Sequence, residues 1–381
     1  MDISLLTKRL AQWSVLVCLM LLPTQIRPQA NVYVSPSSIV LSGQSSVTVD
    51  FMLSSVTNLH SYSVKIRYDN SILSFQSAVR GSFLASGGST IFLTRPSPII
   101  DSVEVNEAIL GPYSVNGSGK LFSVIFNVLS AGTSIIEIVE VQLRDLNSLS
   151  IPVTWIFGQV VVPVSVNIKV LLQGPFNVNI MNTNLNLSGY LPLNQPYSVT
   201  PWNYNGTESV PAGFFSSHSN IVDWILVELR TGTGAITTVG RKAGFITNAG
   251  DVVNIDGVSS LYLSELKGNY YLVIYHRNHI PVMSLNSAYL DYVSVQYDFT
   301  NSKSKAYGTN PMKYLGGGYF GVYTGDSDGS GTVNAADRSN TWNQRNLSGY
   351  YGTDVDLSGT VNAADRSVIW NNRNQSKQVP N

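Results

Sequence analysis

Oxygen-bearing side chains recur at a fixed spacing near the end of the chain. In residues 326–337 they stand at positions 1, 3, 5, 7, 9 and 12 of a twelve-residue stretch, and the same series returns 28 residues later in 354–365. Position 6 is glycine in both copies. Ca²⁺ binds about six to eight oxygen atoms, and loops with this spacing and a glycine at the sharp turn supply them. The spacing therefore predicts two calcium ions, one in each loop.

The first loop (326–337) and the second loop (354–365) share one ligand set. Carboxylates stand at positions 1, 3 and 12, and position 5 gives a hydroxyl. Position 7 gives its backbone carbonyl, and the asparagine at position 9 acts directly or through water. The predicted ligands are Asp326, Asp328, Ser330, Thr332, Asn334 and Asp337 in the first loop, and Asp354, Asp356, Ser358, Thr360, Asn362 and Asp365 in the second. All six acidic residues of 321–381 fall at positions 1, 3 or 12, which favours a metal site over two polar turns without an ion.

A short helix is predicted after each loop. Asn334 and Asn362 are suited to be N-cap residues, and each is followed three residues later by an aspartate. Position 8 is valine in both loops, and we expect these valines to point inward and tie the two loops together. Trp342 and Trp370 also recur at the 28-residue period. We expect them to pack between the paired motifs.

Residues 322–374 resemble a type I dockerin, the duplicated calcium module by which bacterial secreted proteins plug into cohesins. Position 3 carries Asp where Asn is common in the family, and position 5 carries Ser where Asp is common, so each loop keeps its number of carboxylates. The resemblance implies a cohesin-bearing partner for 321–381. Because the two copies are nearly identical, it also implies two binding orientations related by a half-turn. The partner-binding residues that it implies are Ala335, Ala336, Arg338, Ala363, Ala364 and Arg366.

Residues 1–30 have the pattern of a secretory signal. Lys8 and Arg9 precede an apolar run at 13–22 that is too short to span a bilayer as a helix. A lipoprotein anchor at Cys18 is the alternative, although valine stands where that signal needs a small residue. No later segment reaches 18 apolar residues. We therefore predict a secreted, extracellular protein with no membrane span after signal removal, and attachment to a cell surface stays open.

Composition and charge narrow the function classes. Only 12% of the 381 residues are charged, and the 20 tyrosines and 31 glycines are typical of β-rich secreted modules. Without residues 1–30 the chain has 20 basic and 22 acidic residues. Since no basic surplus exists to neutralise phosphates, nucleic acid is not a predicted partner. The one cysteine lies in the signal segment, so neither disulfides nor thiol chemistry are predicted.

Residues 31–165 alternate apolar and polar residues in short runs with glycine- and serine-rich turns between them, which predicts a β-sandwich. The segment resembles a cohesin at residues 68–69, 79–81, 119–122 and 158–162. The same jelly-roll frame is found in cellulose-type carbohydrate-binding modules. The resemblance therefore implies a dockerin or a polysaccharide as the partner of 31–165, and a spacer without a ligand is the alternative.

Residues 166–320 are predicted to form a second β-sandwich. The predicted strands lie at 166–172, 223–229, 243–247 and 269–275. This segment resembles the module that precedes dockerin-like repeats in some secreted bacterial proteins, which implies no activity. The predicted fold class is mainly β. Its parts are a signal peptide (1–30), two β-sandwich or jelly-roll modules (31–165 and 166–320) and a small α-helical, paired EF-hand-like calcium module (321–381).

Signals for catalysis are weak. His276 and His279 follow a predicted strand, and residues three apart on a strand face opposite sides, so we predict that they close a strand end rather than hold a metal. Glu104 and Glu107 are predicted to share an apolar-rich loop and not to form an acid/base pair across a cleft. No nucleophile elbow, phosphate-binding loop or zinc-protease motif occurs. We predict that the chain is not an enzyme.

Four aromatic residues outside the repeat could stack on glycans, but in an aromatic-rich sandwich we assign them to the core: Trp155, Phe157, Trp202 and Tyr204. The sequence thus predicts a secreted, calcium-binding, non-catalytic assembly or adaptor protein linked to polysaccharide binding or breakdown. One alternative is a carbohydrate-binding adhesin whose calcium module is only a structural cap. Another is an enzyme whose site lies in 166–320.

Overall fold

The computed structural model describes residues 29–97 and 101–381. The predicted signal segment therefore lies outside the described residues, except for its last two positions. Strands dominate the described part of the chain, which confirms the prediction of a mainly β protein. None of the helices in that part is long and apolar enough to cross a membrane.

Residues 30–162 form eleven strands that are connected by hydrogen bonds into one continuous sheet. Side chains alternate between core and solvent because successive residues of a strand point to opposite faces; Val47, Val49 and Phe51 are buried in this way. The strands are β1 (Ala30–Ser35), β2 (Ser38–Val40), β3 (Ser46–Arg67), β4 (Leu73–Arg80), β5 (Thr90–Ser97), β6 (Ser102–Ile109), β7 (Val115–Val128), β8 (Gly132–Asp145), β9 (Ser150–Ile151), β10 (Val153–Ile156) and β11 (Gly158–Val162).

Strand β3 organises this region because it is 22 residues long and takes part in two groups of strands. Its first half pairs with β1 and β7, and its second half pairs with β6 and β8. Strand β5 extends the second group through β6. Strands β5, β6, β3 and β8 therefore share one outward surface. Glu104 and Glu107 lie on β6 and not in a loop, because the residues between and around them continue the strand alternation.

Residues 164–321 contain a further fourteen strands. They are β12 (Val164–Val166), β13 (Ile168–Lys169), β14 (Phe176–Asn177), β15 (Ile180–Met181), β16 (Ile221–Arg230), β17 (Thr238–Thr247), β18 (Val252–Val253), β19 (Leu261–Leu263), β20 (Gly268–His276), β21 (His279–Met283), β22 (Ala288–Leu290), β23 (Tyr297–Asp298), β24 (Lys313–Gly316) and β25 (Tyr319–Gly321). The helices here are α1 (Asn184–Leu187) and α2 (Phe214–Ser217), with 3₁₀ turns at Ala235–Thr237 and Lys303–Lys305; a further 3₁₀ turn, at Leu84–Gly87, belongs to the first region.

The main sheet of this second region is antiparallel and six-stranded, in the order β18-β17-β16-β20-β21 with β22 also on β20. All ten residues of β16 are buried, so the sheet is covered on both faces. Two-stranded ribbons accompany it. The region is thus built on one large sheet and several short ones, whereas the sequence predicted a sandwich of two sheets.

Helices α3 (Ala335–Asn343) and α4 (Ala363–Asn371) follow the first and the second loop. After each helix the chain pairs with the other loop. Residues 374–377 bond to Gly331 and Val333 of the first loop, and residues 346–349 bond to Gly359 and Val361 of the second. Both valines are fully buried, as expected. Their backbone groups, however, bond to these returning segments and not to each other.

The paired loops and helices share their core with the preceding region. Val333, Val355 and Ile369 of the repeat form one buried cluster with Ile280 of β21 and with Tyr323. The repeat therefore packs directly against the six-stranded sheet.

Candidate metal centre and docking surface

Each loop gathers three carboxylates. The carboxylate oxygens that Asp326, Asp328 and Asp337 contribute lie within 4.8 Å of one another, and the same holds in the second loop. The second cluster consists of Asp354, Asp356 and Asp365. Positions 1 and 12 are buried in both clusters, whereas position 3 is the more exposed one. The structure thus brings together the aspartates that the sequence places at positions 1, 3 and 12.

The tight turn at position 6 orients the first carboxylate. Gly331 has φ +87° and Gly359 has φ +88°, a left-handed conformation that favours glycine. The Gly331 N–H donates to Asp326 Oδ2 at 2.9 Å, and the Gly359 N–H donates to Asp354 Oδ2 at 2.8 Å. At position 5, Ser330 Oγ lies 3.3 Å from both Asp326 Oδ1 and the carbonyl oxygen of Thr332. The ligand candidates at positions 1, 5 and 7 are therefore adjacent.

Positions 9 and 12 also begin the helix. The Asn334 side chain accepts from the Ala336 N–H at 2.7 Å, and Asp337 Oδ2 accepts from the Asn334 N–H at 2.8 Å, which together form a capping box. The second loop repeats this arrangement through Asn362 and Asp365. The oxygens of both asparagines are thus engaged by helix N–H groups. The position-12 carboxylate belongs to both the acidic cluster and the helix start.

Burial and neighbouring negative charge disfavour ionisation of these carboxyl groups. Burial, together with the adjacent carboxylates, raises the pKa of Asp326 and of Asp354 to about 7 and that of Asp365 to about 6. Within residues 29–97 and 101–381, no lysine, arginine or histidine forms an ion pair with any of the six aspartates. This set of oxygen donors, which has no ion-pair partner in those residues, fits a hard divalent cation such as Ca²⁺.

Buried polar contacts fix the second loop to the turn between β20 and β21 and to the segment just before the first loop. Asn278 Nδ2 donates to the carbonyl oxygen of Asp354 at 2.7 Å, and Thr324 Oγ1 donates to that of Val355 at 2.5 Å. A Cβ atom at Gly174 would stand 2.1 Å from the same Val355 oxygen, so this approach requires glycine. The geometry of the carboxylate cluster thus depends in part on residues outside the repeat.

His276 lies at the end of a strand, as predicted, but the premise that His276 and His279 face opposite sides of one strand is wrong. Strand β20 ends at His276 and β21 begins at His279, so a two-residue turn brings the rings together with their Nδ1 atoms 3.0 Å apart. Both rings are buried, and burial lowers the pKa of each. Asp223 Oδ2 lies 3.2 Å from His276 Nε2 and accepts from Arg277 Nε at 2.9 Å, while its Oδ1 accepts from Tyr350 Oη at 2.7 Å. This network joins the sheet to the repeat.

Helices α3 and α4 carry the residues predicted to contact a partner. Ala335, Ala336, Ala363 and Ala364 are exposed. The two arginines stack across the helix pair: the guanidinium carbon of Arg338 lies 4.8 Å from the ring centroid of Trp370, and that of Arg366 lies 4.3 Å from Trp342. Arg345 and Arg373, two residues beyond the ends of α3 and α4, contact the same two rings, each from its own repeat and at 4.4 Å. We call these six arginine and tryptophan residues the arginine–tryptophan surface.

The two tryptophans do not pack between the motifs as expected. Trp342 is 47% exposed and Trp370 is 49% exposed. Each ring centroid has two guanidinium carbons within 4.8 Å, because arginines recur beside the tryptophans at the same 28-residue period. The rings are therefore part of the outer surface of the helix pair.

A second candidate surface lies on the first region. Along β5, β6, β3 and β8, one transverse row consists of Ile91, Ala108, Ser61 and Arg144. The next row places Leu93 beside Asn106, Ser63 and Gln142. Ile91 is 50% exposed and Leu93 is 52% exposed. We call this outward surface the four-strand face. Small residues at its centre and apolar residues at one edge leave it open to a partner.

The assignment of all four aromatic residues to the core is wrong for two of them. Trp155 and Phe157 are 42% and 60% exposed, because they lie at and just beyond β10, next to the edge of the eleven-stranded sheet. Tyr204 is buried and Trp202 is half-buried. Trp155 and Phe157 are therefore available for stacking.

Comparisons with known proteins gave matches among solved structures. No family model matches this chain, and no curated protein does. A non-cellulosomal cohesin from Archaeoglobus fulgidus aligns with 19% identity over 35% of this chain and 90% of its own, with a TM-score of 0.30. A type II cohesin domain from the cellulosome of Acetivibrio cellulolyticus aligns with 16% identity over 35% of this chain and 95% of its own, with a TM-score of 0.32. A chain of a type I cohesin–dockerin complex from Clostridium thermocellum aligns with 13% identity over 35% of this chain and 92% of its own, with a TM-score of 0.31.

Proposed function

We propose that this chain is a secreted, non-catalytic assembly protein that docks a partner when its two loops hold Ca²⁺. The observation that carries the proposal is the pair of equivalent three-carboxylate clusters, each without a basic partner in the described residues and each at the start of a helix. A bound calcium ion would supply the positive charge that these carboxylates lack. The residues that would hold it are the twelve predicted ligands of the two loops.

The connection from ion site to docking surface runs through position 12. Asp337 and Asp365 accept hydrogen bonds from the N-cap residues of α3 and α4. The alanines and the arginine that follow each cap stand one to four residues further on. Because mutually repelling carboxylates would disturb this cap, occupancy of the loop orders the start of the helix that carries the docking residues.

The docking residues are Arg338 and Arg366 with the four exposed alanines. Neither arginine makes a side-chain hydrogen bond within the part of the chain that the structure describes, and the Nε of Arg366 is buried without a partner. Stacking on an indole fixes a guanidinium while its remaining N–H groups can still donate to a carboxylate. A cohesin-bearing protein is the proposed partner. The equivalence of the two helices would allow it to bind in two orientations.

The four-strand face is the proposed receiving surface of the first region. It would bind a dockerin or a polysaccharide, and its apolar edge at Ile91 and Leu93 supports a protein partner. A chain with a surface of each kind would link two other molecules.

A carbohydrate-binding adhesin is the second candidate function. The exposed rings of Trp155 and Phe157 favour it, since aromatic faces stack on sugar rings. In that case the paired loops would act as a structural cap without a docking partner.

Both candidates can be tested with the full-length secreted chain. The wild type and an Asp326→Asn/Asp354→Asn variant are immobilised and presented with a panel of type I and type II cohesin modules, in calcium and in excess chelator. We expect calcium-dependent binding that the variant loses, while an Asp145→Asn/Asp256→Asn control keeps it. Binding that persists in chelator would contradict the proposal. Retention on cellulose or xylan that Trp155→Ala/Phe157→Ala abolishes, without cohesin binding, would favour the adhesin.

A further inference from the structure

A cavity of about 250 Å³ lies between the six-stranded sheet, the first loop and the last residues of the chain. Its walls include Trp202, Arg230, Arg241, Tyr275, Lys377 and Pro380. None of these six residues belongs to the arginine–tryptophan surface. Asp326 and Ser330 of the first loop also line the cavity, so it borders the first carboxylate cluster. Two arginines and a lysine on one concave surface give it an unusual charge for a chain with so few charged residues.

One buried carboxylate holds both arginines in place. Glu228 is fully buried on β16, and its Oε1 lies 2.6 Å from Arg230 Nε while its Oε2 lies 2.6 Å from Arg241 Nε. Arginine stays protonated at any ordinary pH. Glu228 therefore compensates one of the two positive charges and leaves the other in excess. The bonds also fix both guanidinium planes, so little side-chain freedom is lost when a ligand binds.

Part of the donor capacity around the cavity is used by the protein. Arg230 Nη1 donates to the carbonyl oxygens of Thr233 and Pro380, and its Nη2 donates to Tyr275 Oη. Arg241 Nη1 donates to the carbonyl oxygen of Trp202 at 2.8 Å. These contacts leave Arg230 nearly saturated.

Two of the residues that line the cavity keep N–H groups without an acceptor in the described residues. Arg241 Nη2 donates to no atom of residues 29–97 or 101–381, and the Arg241 side chain is 33% exposed. Lys377 Nζ donates once, to Asn381 Oδ1 at 2.7 Å, so two of its three hydrogens have no acceptor in that same part of the chain. The cavity lining therefore combines two positively charged side chains that can still donate hydrogen bonds with the half-buried indole of Trp202.

We infer that this cavity binds a small organic carboxylate of up to monosaccharide size, such as a hexuronate. The terminal N–H groups of an arginine match the two oxygens of a carboxylate, and a lysine adds a point charge. Trp202 gives the sugar ring an apolar wall. The volume suits a ligand of this size and excludes a longer chain from being fully enclosed. Asp326 also lines the cavity, and in this respect the inference rests on the proposed function, since a calcium ion in the first loop would compensate that charge.

The test is calorimetric titration of the full-length chain, in saturating calcium, with galacturonate and with galactose as the neutral match. We expect galacturonate to bind and galactose not to bind. Arg241→Gln should weaken galacturonate binding about tenfold or more, since a charge-assisted hydrogen bond is lost. Lys377→Gln, which leaves the Glu228 pairs intact, should weaken it by a smaller factor. Lys242→Gln is the matched control, because Lys242 follows on the same strand and points to the opposite face.

Equal binding of galactose would overturn the inference, and so would unchanged binding by both Arg241→Gln and Lys377→Gln. Acetate serves as a second, smaller carboxylate probe. If neither galacturonate nor acetate binds at concentrations up to about 10 mM, the inference is also overturned. Binding of inorganic sulfate in place of either carboxylate would show an anion site of another class and would also contradict it. These titrations measure only the binding of small molecules, so their outcome does not depend on whether the chain binds a cohesin.

Discussion

The guanidinium carbon of Arg338 lies 4.8 Å from the ring centroid of Trp370, and Arg366 lies over Trp342 in the same way at 4.3 Å. Each stack joins a residue of one repeat to a residue of the other. The surface that they form therefore exists only when both helices are in place. An exposed cation–π contact contributes about 0.5–1 kcal/mol, so the two stacks add modestly to stability and mainly fix the positions of the arginines.

Replacement of both stacked arginines should reduce docking without unfolding the chain. In Arg338→Gln/Arg366→Gln we expect cohesin affinity to fall about tenfold or more, and its dependence on salt to flatten, because charge-assisted donors are lost. Surface plasmon resonance at two salt concentrations measures both effects. Arg345→Gln/Arg373→Gln is the matched control, since those arginines donate to the Trp342 and Trp370 carbonyls of their own helices. Equal losses in the two variants would contradict an individual role for Arg338 and Arg366.

Loss of the Asn278 side chain should destabilise the second loop. Asn278→Ala removes the donor to the buried Asp354 carbonyl and should cost about 1–3 kcal/mol of unfolding free energy. In a calorimetric calcium titration we expect the affinity of the second loop to fall, while the affinity of the first loop stays unchanged. Asn301→Ala, which removes an exposed amide that bonds to Asp298, is the control. Equal weakening of both steps would indicate a general loss of structure.

Loss of the Val379 packing should act on the first loop. Val379 is buried against Val273 and Met283 and holds the segment that pairs with Gly331 and Val333. Val379→Ala should lower stability by about 1–2 kcal/mol and weaken the calcium step that Asn278→Ala leaves intact. The double variant should weaken both steps. The melting temperature and a calcium titration check these expectations, and an unchanged titration of Val379→Ala would refute them.

A buried glutamate should make stability depend on pH. Glu107 accepts from Tyr62 Oη at 2.9 Å and from Thr90 Oγ1 at 2.7 Å, and burial raises its pKa. The folded chain therefore holds this proton more tightly than the unfolded chain, and stability falls as pH rises through the folded-state pKa. Glu107→Gln removes the ionisation, so we expect it to be more stable than wild type near pH 7.

The difference should disappear below about pH 4, where the carboxyl group is protonated in both states. Urea unfolding at a series of pH values measures it. Glu104→Gln, on the solvent-facing side of the same strand, is the comparison for loss of one negative charge. A gap between Glu107→Gln and wild type that is constant from pH 4 to about pH 7 would rule out the buried proton as its cause.

Local patterns in the sequence could predict the strands and the aspartate clusters, and tertiary contacts decided the rest. The proximity of Asp326, Asp328 and Asp337 follows from spacing, because the twelve-residue loop and its glycine set the turn. The Arg230–Glu228–Arg241 arrangement was missed. Two of its residues are on β16 and the third is on β17, and only the pairing of those strands brings them to one carboxylate. Three charged residues within apolar strand patterns were the available signal.

The pair His276 and His279 is a second case in which the local sequence pattern did not predict the contact. Side chains alternate between the two faces of a sheet only within a continuous strand. The turn at Arg277 and Asn278 ends one strand and starts the next, so the two histidines come to lie beside each other. The position of Trp342 and Trp370 on short helices after the two loops predicts that they pack between the paired motifs, but both rings are about half exposed. Their outward position depends on the four arginines that cover them, which propensity alone does not indicate.

The exchange of returning segments means that neither repeat is complete alone. A fragment of residues 322–349 would carry one loop and one returning segment, each with unsatisfied backbone groups along an open edge. Two copies of it could satisfy both edges by giving their returning segments to each other, as residues 346–349 and 374–377 do within one chain. The half-unit would then be stable only as a symmetric, strand-swapped dimer, and the covalent duplication supplies both halves of that arrangement within one chain.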